Sequence, residues 1–247
     1  LRIHHRFAKN KDLTIIGVGG WDQYRLYKDG RGSDALLYNV GYIPEGDQQT
    51  EVIGARYRIF KDNGRWEYVL SRDHVGNQAE KYIGNTGILE DRQLAYASSE
   101  TNTRANLTHY VVSEQWQWKY GLNFVHRDYD LDMTSVRYNN DETVQRIDTA
   151  DYTSALSFQS LGAFTHVTRN YLENRLSTSA GLRLDMHNLN LNSLLRISPR
   201  ASAQYHLNES WAVQSNLGWY NQLPPAIVML ANEANNETTY GTGPGSV

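Results

Sequence analysis

"LSTSAGLRLDM", residues 176–186, alternates apolar and polar positions almost without a break. Leu176, Thr178, Ala180, Leu182, Leu184 and Met186 share one parity, and Ser177, Ser179, Gly181, Arg183 and Asp185 share the other. Successive side chains of a strand point to opposite faces, so this is one strand with an oily face and a charged face. In a soluble sandwich the oily face is the core. In a barrel that crosses a bilayer it touches lipid, and the polar face lines the lumen.

The same alternation recurs along the chain. Trp116, Trp118, Tyr120, Leu122 and Phe124 oppose Gln117, Lys119, Gly121 and Asn123. Ile53, Ala55, Tyr57 and Ile59 oppose Gly54, Arg56 and Arg58, while Trp66, Tyr68 and Leu70 oppose Arg65, Glu67 and Ser71. Trp211, Val213, Leu217 and Trp219 oppose Gln214 and Asn216. Two stretches are less regular: parity is ambiguous in "TIIGVGG" (14–20), and it slips near Phe158–Leu161, where we expect a bulge.

These strands fall into five hairpins: 1–8 with 13–27, 51–60 with 65–77, 103–112 with 116–131, 153–170 with 175–188, and 196–206 with 211–222. Their joints, including "KNKD", "KDNG" and "LNES", are short and rich in Asn, Asp, Gly and Ser, as tight turns require. The connections between hairpins at 28–50, 78–102 and 132–152 read as long loops, and 189–195 as a short one. Short turns alternating with long loops are the rhythm of outer-membrane barrels. Phe60, Trp66, Trp116, Trp118, Tyr205 and Trp211 lie beside the short turns, where an interfacial aromatic girdle belongs.

Composition agrees. The 247 residues carry a net charge of −3, with a pI near 6.3, which gives no footprint for nucleic acid. Mean hydropathy is −0.62, and no apolar run approaches a membrane-spanning helix, a test that a barrel escapes. Tyr (17) and Trp (6) far outnumber Phe (5), favouring rings suited to interfaces. Cysteine is absent, which excludes disulfides, thiol nucleophiles and thiolate metal sites from these residues.

"GAFTHVTRNYLENRLSTSAGLRLDMH" (162–187), followed by "ISPRASAQYHLNESWAVQSNLGWYNQLPP" (197–225), resembles the barrel of TonB-dependent outer-membrane receptors, with the flavour of receptors of the Bacteroidetes type. The shared features are a Gly-Ala-Phe strand, a turn, an Ala-Gly-Leu-Arg-Leu-Asp strand, a Ser-Pro-Arg strand and a Gly-Trp-Tyr-Asn-Gln-Leu-Pro-Pro strand end. The resemblance implies an all-β, antiparallel up-and-down transmembrane barrel of roughly 22 strands around an N-terminal plug, energised through the TonB complex. This chain would supply about ten of those strands, in residues 1–222, with 223–247 a loop and truncated end. It carries no recognisable plug, TonB box or terminal aromatic strand, and so reads as an internal piece of a longer protein. The implied partners are TonB through the plug, lipid and lipopolysaccharide, and an imported solute; the implied place is the outer membrane of a Gram-negative bacterium.

Enzymatic signatures are missing: there is no G-x-S-x-G, H-E-x-x-H or G-x-x-x-x-G-K-[ST], and the eight histidines show no metal-ligand spacing. We therefore expect no catalysis and no cofactor. One exception is weighed. Asp128, Asp130 and Asp132 in "DYDLD" share a side of their strand and are a candidate Ca²⁺ site, or a bridge to lipopolysaccharide phosphates. Arg56, Arg58, Arg104, Lys119, Arg127, Arg183 and Arg200 share the polar parity, opposed by Glu67 and Asp185. They are candidate lumen residues for plug docking or for steering an anionic ligand. Further ligand contacts are expected from loop tyrosines at 38, 42, 82, 96 and 138. The function that follows is uptake of a scarce solute: a siderophore, metal chelate, oligosaccharide or peptide. A passive porin or adhesin-type barrel is the alternative, and a soluble carbohydrate-acting β-protein is a third reading.

Overall fold

The protein is described here by a computed structural model covering residues 1–26, 38, 40, 41, 43–141, 144–189 and 195–223, with backbone alone at 137–141 and 144–148. Ten strands run in chain order: β1 Arg2–Ala8, β2 Lys11–Tyr24, β3 Glu45–Lys61, β4 Gly64–Tyr82, β5 Arg92–Val112, β6 Trp116–Asp141, β7 Val144–Tyr171, β8 Leu176–His187, β9 Arg196–His206 and β10 Ala212–Gly218. They form one antiparallel sheet in that same order, so each strand pairs with its neighbours in sequence. All five expected hairpins are present at their expected turns.

Two expected loops are not loops. Residues 78–102 are mostly strand: β4 runs to Tyr82, β5 begins at Arg92, and two 3-10 turns, Ile83–Asn85 and Leu89–Asp91, occupy the gap. Residues 132–152 continue β6 and β7, which reach 26 and 28 residues. Composition misled because these upper segments are polar on the side where the lower segments are oily. Ladder hydrogen bonds hold a strand whatever its side chains are.

Register sorts every side chain. Asp12, Arg58, Glu67, Thr108, Gly121, Phe164, Arg183 and Ser198 form one row of directly paired residues across eight strands. The adjacent row is Leu13, Tyr57, Tyr68, Leu107, Leu122, Ala163, Leu184 and Ile197. Paired residues share a face, so one face is charged and the other apolar. Asp12, Thr14, Asn102 and Ser198 on the charged face are at most 3% exposed, whereas Leu70, Leu122, Ile197 and Leu217 on the apolar face are at least 50% exposed. Within one sheet layer, that asymmetry follows from curling towards the charged face. We call the charged face inner and the apolar face outer. A wall that bares its leucines and covers its arginines suits a bilayer around it. No helix among the described residues is long and apolar enough to cross a membrane, which says nothing about strands.

The pattern inverts partway up the long strands. On β6 the outer face passes from Trp116, Trp118, Tyr120, Leu122 and Phe124 to His126, Asp128, Asp130 and Asp132. The inner face passes from Lys119, Asn123 and Arg127 to Tyr129, Leu131 and Met133. β7 does the same in reverse order: Ala163 and Leu161 give way to Gln159 and Ser157 outside, while Phe158 and Leu156 turn inside. Register between β6 and β7 is unbroken from Trp116↔Arg169 to Asp141↔Val144, so the parity slip at Phe158–Leu161 is this inversion and not a bulge. Ten residues separate Trp116 from His126. At about 3.3 Å each and a tilt of about 45° they climb roughly 23 Å, the height of a barrel's apolar band. Above it, Tyr129, Leu131, Leu156, Phe158 and Leu189 make the buried apolar cluster, joined by Tyr96, Met133 and Leu223. Burial there pushes the Tyr129 phenol above its ordinary pKa.

The ambiguous "TIIGVGG" is resolved the same way. Leu13 and Ile15 face out, while Ile16 and Val18 face in opposite Gly54 and Val52. One further contact fixes the wall. A Cβ at Gly121 would strike the carbonyl of Leu107 and come within 3.0 Å of the Phe164 ring on the paired strand. The aromatic ring covers the glycine's bare backbone. Gly121→Val is therefore expected to displace Phe164 and cost about 1–3 kcal/mol of stability. A lowered urea midpoint with an unchanged slope would show it; an unchanged midpoint would refute the packing.

Candidate functional site

The inner face holds a ladder of ion pairs built across strands. Arg58 on β3 donates Nε and Nη2 to the two carboxylate oxygens of Asp12 on β2, at 2.9 and 2.8 Å. Arg104 on β5 pairs with Asp73 on β4. Asn102, 3% exposed, joins three charged groups. Its amide donates to Asp73 at 2.9 Å and Glu100 at 3.0 Å, and its oxygen accepts from Arg127 Nε at 2.6 Å. Arg127 also lies 3.4 Å from Glu100. On β8, Arg183 donates twice to Asp185, at 2.7 and 2.6 Å, and once across to Asn123 at 2.9 Å. Asn123 in turn donates to Asn106 at 2.6 Å. Gly162 makes room for this pair, since a Cβ there would sit 2.7 Å from Asp185 Oδ1 and 2.8 Å from Arg183 Nη2. Side chains tied to one another by charged hydrogen bonds make this wall stiff.

Of the seven cations singled out on the polar parity, three have no carboxylate partner among the described residues. Arg56 has a buried Nε without any partner. Lys119 Nζ sits over the rings of Tyr110, at 5.3 Å, and Phe164, at 5.5 Å. Arg200 stacks over Tyr220 at 4.6 Å. Lys119 and Arg200 border a groove of about 470 Å³ that Glu67, Tyr110, His166 and Arg183 also line. Chemically the groove offers fixed positive charge and aromatic edges to an acidic or π-rich surface.

All seven cations expected on the polar parity, Arg56, Arg58, Arg104, Lys119, Arg127, Arg183 and Arg200, do share the inner face. Sequence reasoning missed their partners Asp12, Asp73, Glu100 and Asn102. Those lie on other strands, and only register brings them together.

Of the aromatic set, Trp66, Trp116, Trp118 and Tyr205 are on the outer face near the short turns, and Trp211, 69% exposed, precedes β10. Trp66 stacks on His109 at 4.0 Å, His109 Nδ1 lies 2.7 Å from the Tyr120 hydroxyl, and Trp118 Nε1 donates to Thr165 at 2.7 Å. Phe60 departs from the expectation: it lies on the inner face, with Arg58 over its ring at 5.1 Å. Its strand parity is that of Arg58, which proximity to a turn does not override.

Asp128, Asp130 and Asp132 stand in a line on the outer face, paired with Thr101, Ser99 and Ala97. Alternate residues of a strand lie about 6.6 Å apart, too far for three carboxylates to hold one Ca²⁺. Asp128 is engaged already, accepting from Ser157 at 2.8 Å and lying 3.2 Å from His126 Nε2. No group of metal-ligating side chains occurs among the described residues. Of the loop tyrosines, Tyr38 is exposed, whereas Tyr82 and Tyr96 are strand residues of β4 and β5. Tyr42 and the Tyr138 side chain lie outside the described residues.

A family model described as "TonB dependent receptor-like, beta-barrel" matches residues 5–245. Among solved structures, the copper transporter OprC is similar over 93% of this chain and 38% of its own, with a TM-score of 0.66 and 13% identity. The ferric enterobactin receptor PfeA of Pseudomonas aeruginosa is similar over 87% of this chain and 31% of its own, at a TM-score of 0.59 and 13% identity. BauA, the ferric preacinetobactin receptor of Acinetobacter baumannii, covers 87% of this chain and 38% of its own at a TM-score of 0.51 and 10% identity. The chain thus spans between three and four tenths of the length of these structures. No curated protein matches by sequence.

If Asn102 is the joint of the inner ladder, Asn102→Ala strands two carboxylates and a guanidinium at once. A loss of about 1–3 kcal/mol in chemical unfolding is expected, and larger than for Asn106→Ala, whose side chain accepts one hydrogen bond, from Asn123. Equal losses would mean that Asn102 holds nothing together.

Proposed function

The chain belongs to the TonB-dependent receptor β-barrel family, and from that premise we propose that it is the wall of an outer-membrane importer energised by TonB. The observation that supports this most directly is the family match across residues 5–245, on a sheet whose outer face is oily and whose inner face is charged. The solute is a siderophore, metal chelate, oligosaccharide or peptide. Structural neighbours that carry copper, a ferric siderophore or peptides are compatible with that range. The inner wall acts as a scaffold. Its paired arginines hold shape, and its unpaired Arg56, Lys119 and Arg200 present charge to a plug or to an acidic solute. Plug, TonB contact and lipopolysaccharide contact belong to the longer protein, and no catalytic step is assigned.

The test uses the full-length gene in a host stripped of its own receptors. Iron-loaded siderophores, copper chelates, oligosaccharides and peptides are offered with and without functional TonB. Uptake of at least one of them that disappears without TonB is expected; uptake indifferent to TonB returns the passive-barrel reading. For an anionic solute, Lys119→Glu with Arg200→Glu is expected to lower initial uptake about tenfold at low ionic strength and less at high.

A further inference from the structure

The strand arginines that have a carboxylate partner among the described residues lie on the inner face. Arg58, Arg104, Arg127 and Arg183 on the inner face are each paired with a carboxylate. Arg169, on the outer face of β7, and Arg175, the last residue of the short turn that joins β7 to β8, are not. Arg169 pairs in register with Trp116 and lies over its ring at 4.5 Å; it also lies over the Tyr171 ring at 4.8 Å. Its Nε is buried from solvent and has no hydrogen-bond partner. Arg175 lies over the ring of Tyr205 at 5.7 Å and donates a single Nη2 bond to the carbonyl of Leu207 at 3.3 Å. Glu114 and Glu173 stand in adjacent turns, yet no ion pair joins either to these arginines among the described residues.

A guanidinium carries five donors in a flat fork suited to phosphate. Here two forks are held by aromatic faces at the rim of an apolar wall, with most of their donors free. Aromatic rings at such a rim sit at headgroup level, and a basic side chain among them reaches the polar layer. The charge and the location match one counter-ion.

We infer that Arg169 and Arg175, framed by Trp116, Tyr171 and Tyr205, bind the phosphodiester headgroup of an anionic glycerophospholipid in the inner leaflet. The lipid's acyl chains lie along Leu182 and Leu184 of β8 and Ile197 of β9 on the outer face, and its phosphate accepts from the guanidinium forks. This rests on the proposed membrane reading, because that reading puts the short turns at the inner leaflet. Arg72, outside on β4 and next to Thr103 in register, stands at the other end of the apolar band and serves as a control.

The experiment is native mass spectrometry of the full-length receptor, purified in detergent and mixed with phosphatidylglycerol, with zwitterionic phosphatidylethanolamine of matched chains, or with lipopolysaccharide. Wild type is expected to retain phosphatidylglycerol over phosphatidylethanolamine. Arg169→Gln and Arg175→Gln each lower that retention roughly fivefold, and Arg72→Gln leaves it unchanged. Retention of both phospholipids alike, or no change in the arginine variants, overturns the site. Retention of lipopolysaccharide alone overturns the leaflet. A separate measurement guards the membrane reading: these residues contain no cysteine, so in a full-length receptor whose other cysteines are replaced by serine, Glu173→Cys is labelled by an impermeant maleimide in intact cells only if its turn faces outside. Labelling only after the outer membrane is opened supports the orientation. Labelling of intact cells refutes the orientation whatever the lipid result.

Discussion

Hydrogen-bond pairing of each strand with the next is the constraint on which everything else depends. In hydrocarbon a backbone amide has no water to turn to, so a wall made of strands must satisfy its amides from neighbours. Nine consecutive antiparallel pairings do this from β1 to β10. Once register is set, side chains have no freedom to choose a face. Every even step from Arg58 lands inside and every odd step outside, and a slip by one residue would put arginines into lipid. The charged ladder and the bare leucines are therefore two consequences of one pairing scheme.

The inversion on β6 and β7 shows how the scheme meets its surroundings. The backbone continues straight through, with register intact to the hairpin end. Only the chemistry of the faces exchanges. Where lipid covers the outside, leucine and tryptophan stand there. Above that height water covers it, Asp128, Asp130 and Asp132 replace them, and Tyr129, Leu131, Leu156 and Phe158 gather inside. A strand can thus report where the membrane ends without any break in its geometry. The price is that polarity read from sequence changes parity in mid-strand.

That exchange explains what was legible in the residues alone and what was not. The five hairpins could be read because period-two alternation and Asn/Asp/Gly/Ser turns are local signals. The seven inner cations could be read because parity is counted from the same leucines. Residues 78–102 and 132–152 looked like loops because most of their outer positions, among them Gln78, Glu80, Ser99, Thr101, Asp132 and Thr134, are polar, and a search for oily faces passes over them. The slip at Phe158–Leu161 looked like a bulge because Phe158 and Leu161 are both apolar yet face opposite ways. The Asn102 joint and the Asp12–Arg58 pair were beyond reach. Apart from Asn102 to Glu100, they join residues 25 to 46 positions apart, and no spacing rule within a strand predicts which rung meets which.

Location also decides what each arginine does. On the inner face a guanidinium faces neighbouring strands that are close and fixed, so carboxylates placed at the same rung can neutralise it. Arg183 finds Asp185 only two residues away because i and i+2 share a face. On the outer face a carboxylate placed beside Arg169 would itself have to meet lipid, and desolvating two ions for one pair gains little. An aromatic face is the alternative, since Trp116 attracts the cation without adding a charge that needs water. It leaves the arginine's positive charge unneutralised. The paired inner rungs and the unpaired Arg169 thus follow from the same cost of desolvation, and the charge left at the outer rim is what the proposed phosphodiester would meet.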